Sequence, residues 1–265
     1  MKHTYHPLLP DVTRILARQP APNFADGLTT ATHLGKPDYD LALQQYNTYI
    51  EKLRGLNLEV TVLDADADFP DGHFVEDPVI VYGDMAFLCR SGANARRKEP
   101  QSLVSHLHGL RVIPLQDETA FIDGGDVLFC ADRVLVGISE RSNLAGATAL
   151  HRALQTVKAD IRLDCVSFSG VLHLKSGLTE IAPSVMLHDP ALKTDYALDW
   201  AEVIELPSAE GYGADVMPVN DTIFISTGFP TVRQVAEKYY QNIIELNMSE
   251  FQKMDGALTC LSLRY

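Results

Sequence analysis

Cysteine is scarce in this chain: Cys89, Cys130, Cys165 and Cys260 are its four, widely spaced and without a CxxC pair. Neither a disulfide framework nor a thiolate zinc site is signalled, and reduced thiols are expected. No run approaches the ~18 consecutive apolar residues of a membrane span. The opening stretch, MKHTYHPLLPDV, lacks an apolar segment followed by a small-residue cleavage site, so a soluble, cytoplasmic protein is expected. Cationic residues are also few, 22 Lys and Arg against 35 Asp and Glu, for a formal net charge of -13. The longest basic run is Arg96, Arg97, Lys98, so the charge gives little reason to expect nucleic acid or an anionic membrane as partner and favours a cationic small molecule. Ser-, Pro- or Gly-rich linkers are missing, and residues 1–265 read as a single domain.

At 265 residues and 46% hydrophobic, the chain can bury roughly three quarters of its unfolded surface and hold a pocket without staples. A recurring order of hairpin, amphipathic segment and strand organises it. The first instance is PVIVYGDMAFLCR, then the segment around SLVSHLHGL, then RVIPL. The second is DVLFCADRVLVGIS, NLAGATALHRALQTVKA and DIRLDCV, with Ala147, Leu150, Leu154 and Val157 at helical spacing. A third runs through GLTEIAPSVMLHD, LKTDYALDWA and EVIEL, and a fourth through DVMPVNDTIFIST, TVRQVAEKYYQ and NIIEL, with YGD, ADR and VND as short turns. A fifth requires the C-terminal LTCLSLRY to pair with TRILAR, followed by a helix over PDYDLALQQYNTYIEKLRGL and the strand LEVTVL. Leu43, Tyr46, Ile50 and Leu53 form that helix's apolar stripe and Gly55 its stop. Units about 40 to 50 residues apart, none able to bury its own face, point to a closed circular array. Closure would bring distant segments to one axis, whereas an ordinary mixed α/β sandwich fits the same elements without doing so.

The residues able to carry chemistry are individually ambiguous. His173, in VLHLKSG, reads most simply as a structural histidine, and Cys260, in an apolar strand-like run, as a small buried hydrophobe. Asp123 in IDGGD is first an acidic residue capping a glycine turn. Glu76 and Asp77 are different: two adjacent carboxylates between Phe74, Val75 and Pro78 are costly to bury without a cationic partner, which a guanidinium would supply. Arg96 and Arg141 read as surface charges, though arginine is suited to gripping a carboxylate bidentately. His106 and His108, spaced i,i+2, do not share a helical face and are read as surface, so no metal site is expected.

Seven segments in order, DGLTTATHLGKPDY (26–39), FPDGHFVEDP (69–78), RSGANARR (90–97), IDGGD (122–126), GISERSN (137–143), VLHLKSG (171–177) and KMDGALTCLSLRY (253–265), resemble the dimethylarginine dimethylaminohydrolases. The resemblance spans nearly the whole chain. It implies an α/β fold of the guanidine-modifying superfamily, a five-bladed pseudosymmetric propeller of ββαβ units. It also implies Cys260 as nucleophile, His173 as general acid and base, and Asp123 orienting His173. Asp77 and Glu76 would grip the guanidinium, Asp71 and the Leu28 carbonyl the α-amine, and Arg96 and Arg141 the carboxylate, with Phe74 and Met254 lining the pocket. No cofactor is implied, and a homodimer is compatible with it. Where this chain has Asp123, bacterial members of the family carry Glu and mammalian-type members carry Asp, and Asp215 stands in GYGADVMPVN where Ala-Asn is the family habit.

The reaction so implied is hydrolysis of methylated arginines to citrulline and the methylamine through a covalent thiouronium on Cys260. The carboxylates should disfavour a free thiolate, so the substrate's own cation is expected to help ionise the thiol. Arginine deiminase is the nearest alternative, with an agmatine deiminase disfavoured by the paired arginines. A non-catalytic binder of arginine derivatives and a peptide-cleaving cysteine hydrolase come from other classes. Gly27 and Gly35 flank a small polar stretch that would suit a loop closing over substrate, residues 23–35.

Overall fold

A computed structural model describes residues 11–265, and the N-terminal reading over residues 1–10 lies outside them. Five sheets of three or four strands make up the α/β fold, each mixing antiparallel and parallel pairs. The first joins β1 (Arg14–Arg18) to β2 (Glu59–Leu63) in parallel and to β16 (Ser262–Arg264) antiparallel, so the two ends of the described chain are hydrogen-bonded together as expected. The second holds β3 (Val79–Tyr82), β4 (Met85–Leu88) and β5 (Arg111–Pro114). β6 (Val127–Phe129), β7 (Val134–Ile138) and β8 (Leu163–Ser169) form the third, which borrows β11 (Lys193–Thr194) as its edge. The fourth is β9 (Leu178–Ala182), β10 (Val185–His188) and β12 (Glu202–Glu205), and the fifth β13 (Met217–Val219), β14 (Thr222–Ser226) and β15 (Asn242–Leu246). Each of the last four is a hairpin plus a parallel strand, the order read from the sequence.

The crossovers differ from expectation in two units. Helices α1 (Tyr39–Arg54), α2 (Leu144–Gln155) and α4 (Pro230–Tyr239) form where apolar residues recur at helical spacing. Asp38 caps α1 by accepting from the Leu41 N–H at 2.9 Å, and Asn143 caps α2 from Gly146 at 2.9 Å. Proline opens α4, with Glu210 taking the Thr231 N–H at 2.8 Å in place of a side-chain N-cap. Around SLVSHLHGL, however, the chain forms two 3-10 turns, Glu99–Ser102 and Val104–His106, and LKTDYALDWA forms β11 and irregular chain. Pro100 at the start of the first and the turn formers Asp195 and Asp199 in the second oppose a long helix. Val157 falls beyond α2 and is exposed. Gly55 ends α1 in a right-handed conformation, and Asn57 makes the left-handed turn at φ 57°. Gly83, Ser184 and Asn220, in three of the hairpin turns, all have positive φ near 60°, where glycine and asparagine cost least.

The largest core cluster lies between α1 and the sheet edges at the chain ends. Ala42, Tyr46, Tyr49, Ile50 and Leu53 of α1 are buried against Ile15, Phe224, Phe251 and Leu258, each large side chain contributing about 1.5–3 kcal/mol of hydrophobic stabilisation. Tyr49 is fully enclosed yet shares a 2.7 Å hydrogen bond with Ser262 Oγ and donates within 3.2 Å of the Leu258 carbonyl. This ties α1 to the segment just around Cys260. Two further α-helical turns, α3 (Leu174–Gly177) and α5 (Ser249–Gln252), complete the structure.

Candidate active site

Cys260 lies in a 3-10 turn, Thr259–Leu261, and the strand β16 begins two residues later, whereas the sequence reads as a strand through the cysteine. The turn is pinned on several sides. Asp215 accepts from the Thr259 N–H at 3.2 Å and from its hydroxyl at 2.8 Å, and Arg264 donates to the Thr259 carbonyl at 2.8 Å. The Glu76 N–H donates to the Cys260 carbonyl at 3.3 Å. A cysteine carried on a clamped turn at a strand's start can present its sulfur without moving.

His173 immediately precedes α3. The Asp126 carboxylate accepts the Leu174 N–H at 3.0 Å and the Ser139 hydroxyl at 2.7 Å, fixing the backbone that carries the imidazole. His173 Nε2 lies 3.3 Å from Asp123 Oδ2, and its Nδ1 3.9 Å from Asp77 Oδ1. Asp123 Oδ2 also faces Ser91 Oγ at 3.1 Å and Arg141 Nη1 at 3.4 Å. Gly125 donates its N–H to Asp77 Oδ1 at 3.1 Å and packs so closely on the ring that a Cβ there would sit 2.6 Å from His173 Nδ1.

Electrostatics divide the groups sharply. Burial alone would lower His173, but Asp77, the hydrogen bond to Asp123 and then Asp126 outweigh it and raise its pKa to about 9. Burial pushes the Cys260 thiol well above its ordinary value, and Asp77, Asp215 and Glu76 push it further the same way. Burial would raise Asp77, yet His173 and Arg96 hold it below the usual carboxylate range. At neutral pH the site therefore pairs an imidazolium with a neutral thiol and an ionised Asp77.

One pocket is lined by Leu28, Asp71, Phe74, Asp77, Arg96, Arg141, His173, Met254 and Cys260, all read from the sequence, and by Leu172, Asp255 and Gly256, which were not. Asp123 stands behind His173. Glu76 faces elsewhere: its Oε1 pairs with Lys175 at 2.7 Å and Arg264 at 2.5 Å. Arg96 also departs from expectation, because its fork is committed to Glu99 at 2.8–3.1 Å, to Asp77 at 2.5 Å and, more weakly, to the Phe74 carbonyl at 3.3 Å. Among the described residues Arg141 holds a 3.4 Å contact to Asp123 with 13% of its side chain exposed, which leaves its guanidinium donors to spare. Leu28 points its N–H, at 3.1–3.2 Å, into the Asp71 carboxylate, and Asp255, left-handed at φ 56°, accepts from Thr30 N at 2.5 Å. Asp126, which bonds the residue after His173, and Asp255, in the pocket lining, were not named as site residues from the sequence, although Asp126 closes the IDGGD motif and Asp255 adjoins Met254. Asp77, Asp123 and His173 bring donor atoms within 4.8 Å of one another, but a protonated imidazole and carboxylates already paired with arginines do not fit a metal ion. His106 and His108 are exposed, as expected.

Such an arrangement of thiol, imidazole and buried carboxylates defines a class of cysteine-dependent site, and the comparisons narrow it. The family model for N,N dimethylarginine dimethylhydrolase, eukaryotic, matches residues 35–179. The N(G),N(G)-dimethylarginine dimethylaminohydrolase of Pseudomonas aeruginosa is 34% identical over 255 residues, covering 95% of this chain and 98% of that protein. Its Streptomyces coelicolor counterpart is 32% identical over 253 residues, covering 95% and 96%. The solved Pseudomonas aeruginosa enzyme, a cysteine-to-serine mutant complexed with citrulline, superposes with a TM-score of 0.87 at 33% identity, covering 96% of this chain and all of that one. The N-terminal domain of a cyanobacterial arginine dihydrolase shares the fold at a TM-score of 0.84 with 20% identity. The chain belongs to the dimethylarginine dimethylaminohydrolase family.

Proposed function

We propose that this protein hydrolyses Nω-methylated arginines, asymmetric dimethylarginine and monomethylarginine, to citrulline and dimethylamine or methylamine. The observation that carries this reading is the convergence of Cys260, His173 and Asp77 on one pocket that also holds Arg141 and Asp71. The substrate guanidinium enters as a cation and competes with Arg96 for Asp77, an exchange that frees an Arg96 donor for the substrate carboxylate beside Arg141. Asp71 takes the α-amine. The added positive charge lowers the cost of the Cys260 thiolate, whose proton leaves to solvent.

The thiolate then attacks the central guanidinium carbon, forming a C–S bond as the C=N electrons move to nitrogen. His173, protonated at neutral pH, gives its proton to the leaving amine as the C–N bond breaks, leaving a thiouronium on Cys260. Neutral His173 next takes a proton from water, whose oxygen attacks the same carbon; as the C–S bond breaks and the C=O of citrulline forms, the remaining hydroxyl proton passes to the departing Cys260 sulfur. Asp123 holds Nε2 of the imidazole through both steps. The five sheets, each repeating one strand order, serve as blades of a single-domain propeller whose axis runs at this pocket. The cytoplasm, where thiols stay reduced, suits a cysteine nucleophile.

Incubation with asymmetric dimethylarginine, arginine and agmatine, following citrulline and released amine, tests the reading. Citrulline and dimethylamine from the first, abolished in Cys260→Ser, are expected. Turnover of arginine in preference to its methylated forms overturns the substrate assignment, and silence on all three overturns catalysis in favour of binding.

A further inference from the structure

Asp215 is 2% exposed and follows the 3-10 segment Ser208–Ala214 directly. It stands apart from the pocket lining, and the reaction described above assigns it no role. Both of its oxygens are used on one residue, Thr259, at 3.2 Å to the amide and 2.8 Å to the hydroxyl, and Thr259 is the neighbour of Cys260. The groups whose charges reach it are Glu76 before β3, Lys175 on α3, Arg264 on β16, Tyr212 in its own 3-10 segment and the Cys260 thiol. Glu76 is itself neutralised by Lys175 and Arg264, and Asp77 by Arg96, so among the described carboxylates that raise the thiol, Asp215 is the one without a close cation of its own.

We propose that Asp215 is a positioning residue for the nucleophile, clamping the Thr259 turn so that Cys260 is held toward the pocket, and that its charge, when present, opposes formation of the thiolate. This rests on the reading of Cys260 as the nucleophile. The clamp works in either charge state: an ionised carboxylate accepts from both Thr259 donors, while a carboxylic acid accepts from the amide and donates to the hydroxyl. Only the ionised form penalises the thiolate. Burial and then Glu76 raise the Asp215 carboxyl to about 6, which places the change of state inside the working pH range. An amide side chain would reproduce the clamp without the charge, so the aspartate makes thiol activation pH-dependent where an asparagine would not.

The test reads the sulfur directly and needs no substrate. Iodoacetamide alkylation of Cys260, assigned by mass mapping in a Cys165→Ser background that removes the exposed thiol, is followed from pH 5 to 9 in the parent, in Asp215→Asn and in Asp215→Ala. Expected is faster alkylation of Asp215→Asn above pH about 6, by ~10-fold, the equivalent of one pKa unit or about 1.36 kcal/mol, with the two curves merging below it. Methylarginine turnover measured alongside should fall by ~10-fold or more in Asp215→Ala and much less in Asp215→Asn, since the amide restores the clamp. Superimposed alkylation curves for the parent and Asp215→Asn overturn the electrostatic role. Equal turnover losses in the two folded variants overturn the positioning role; where Asp215→Ala misfolds, a loss in Asp215→Asn of more than a few-fold against the parent does so. Failure of turnover in the parent with alkylation behaving as expected would count against the proposed substrate and leave the Asp215 assignment standing.

Discussion

Replacing Gly125 with alanine tests whether the site depends on the imidazole's placement. The added Cβ would lie 2.6 Å from His173 Nδ1, 2.7 Å from its Cγ and 2.8 Å from Asp77 Oδ1, against 3.4–4 Å for ordinary contact. Neither neighbour has room to yield: His173 and Asp77 are each 4% exposed, and the ring's far nitrogen is already at 3.3 Å from Asp123. The ring or the carboxylate must therefore move by about 1 Å, a displacement that costs on the order of 100-fold in rate when it falls on reacting groups. Overpacking of this kind costs about 1–3 kcal/mol, or roughly 2–4 °C in Tm per kcal/mol for a chain of this size. Steady-state turnover of methylarginine and a calorimetric scan of Gly125→Ala measure both. The expected pattern is a folded protein, modestly less stable, with kcat reduced far more than its Tm change would imply. A variant with kcat/KM within twofold of the parent would refute the argument that ring placement is set by this contact.

Because the folded-state pKa of His173 lies above its ordinary 6.5, at about 9, its contribution to stability is complete below pH 6.5 and is lost as pH rises through 9. Urea unfolding should show a decline of up to about 3 kcal/mol across that window, steeper in the parent than in His173→Asn; parallel curves would contradict the assignment. Arg96→Met leaves Glu99 buried without its cation and Asp77 with only the His173 imidazolium 3.9 Å away, and chemical denaturation should register a loss of about 3–5 kcal/mol. A loss under about 1 kcal/mol would show that Arg96 does not hold those carboxylates in solution.

Legibility from the sequence tracked how local each signal was. The hairpins and α1 were readable because alternation and a helical stripe, Tyr46, Ile50 and Leu53, are set by nearest neighbours. The missing crossover helix at Glu99–His106 was not, since a short apolar pattern persists there while Pro100 and the ion pair of Glu99 with Arg96 dictate 3-10 turns. The site was legible as a set of residue types and motifs, and nine of those side chains do line one pocket. What each one bonds to was not legible. Whether Arg96 faces a ligand or Asp77 and Glu99 depends on contacts 19 and 3 residues away in sequence, and no periodicity encodes them. Glu76 and Asp77, adjacent in sequence, likewise part company in the structure, one turned to Lys175 and Arg264 and the other to the pocket.

That divergence explains how an acidic protein can build a cysteine site at all. A thiolate gains nothing from a net charge of -13, and three carboxylates raise the Cys260 thiol further. In the mechanism proposed above, the nucleophile stays neutral until a cation arrives. Two of the acids are held in reserve by permanent cations, Glu76 by Lys175 and Arg264 and Asp77 by Arg96. In that mechanism a guanidinium replacing Arg96 at Asp77 changes the sign of the local balance instead of merely adding to it. The same logic protects the thiol from indiscriminate alkylation and oxidation, which follow thiolate character and exposure, and it couples activation to the charge that distinguishes substrate from the citrulline product, which is neutral at that group.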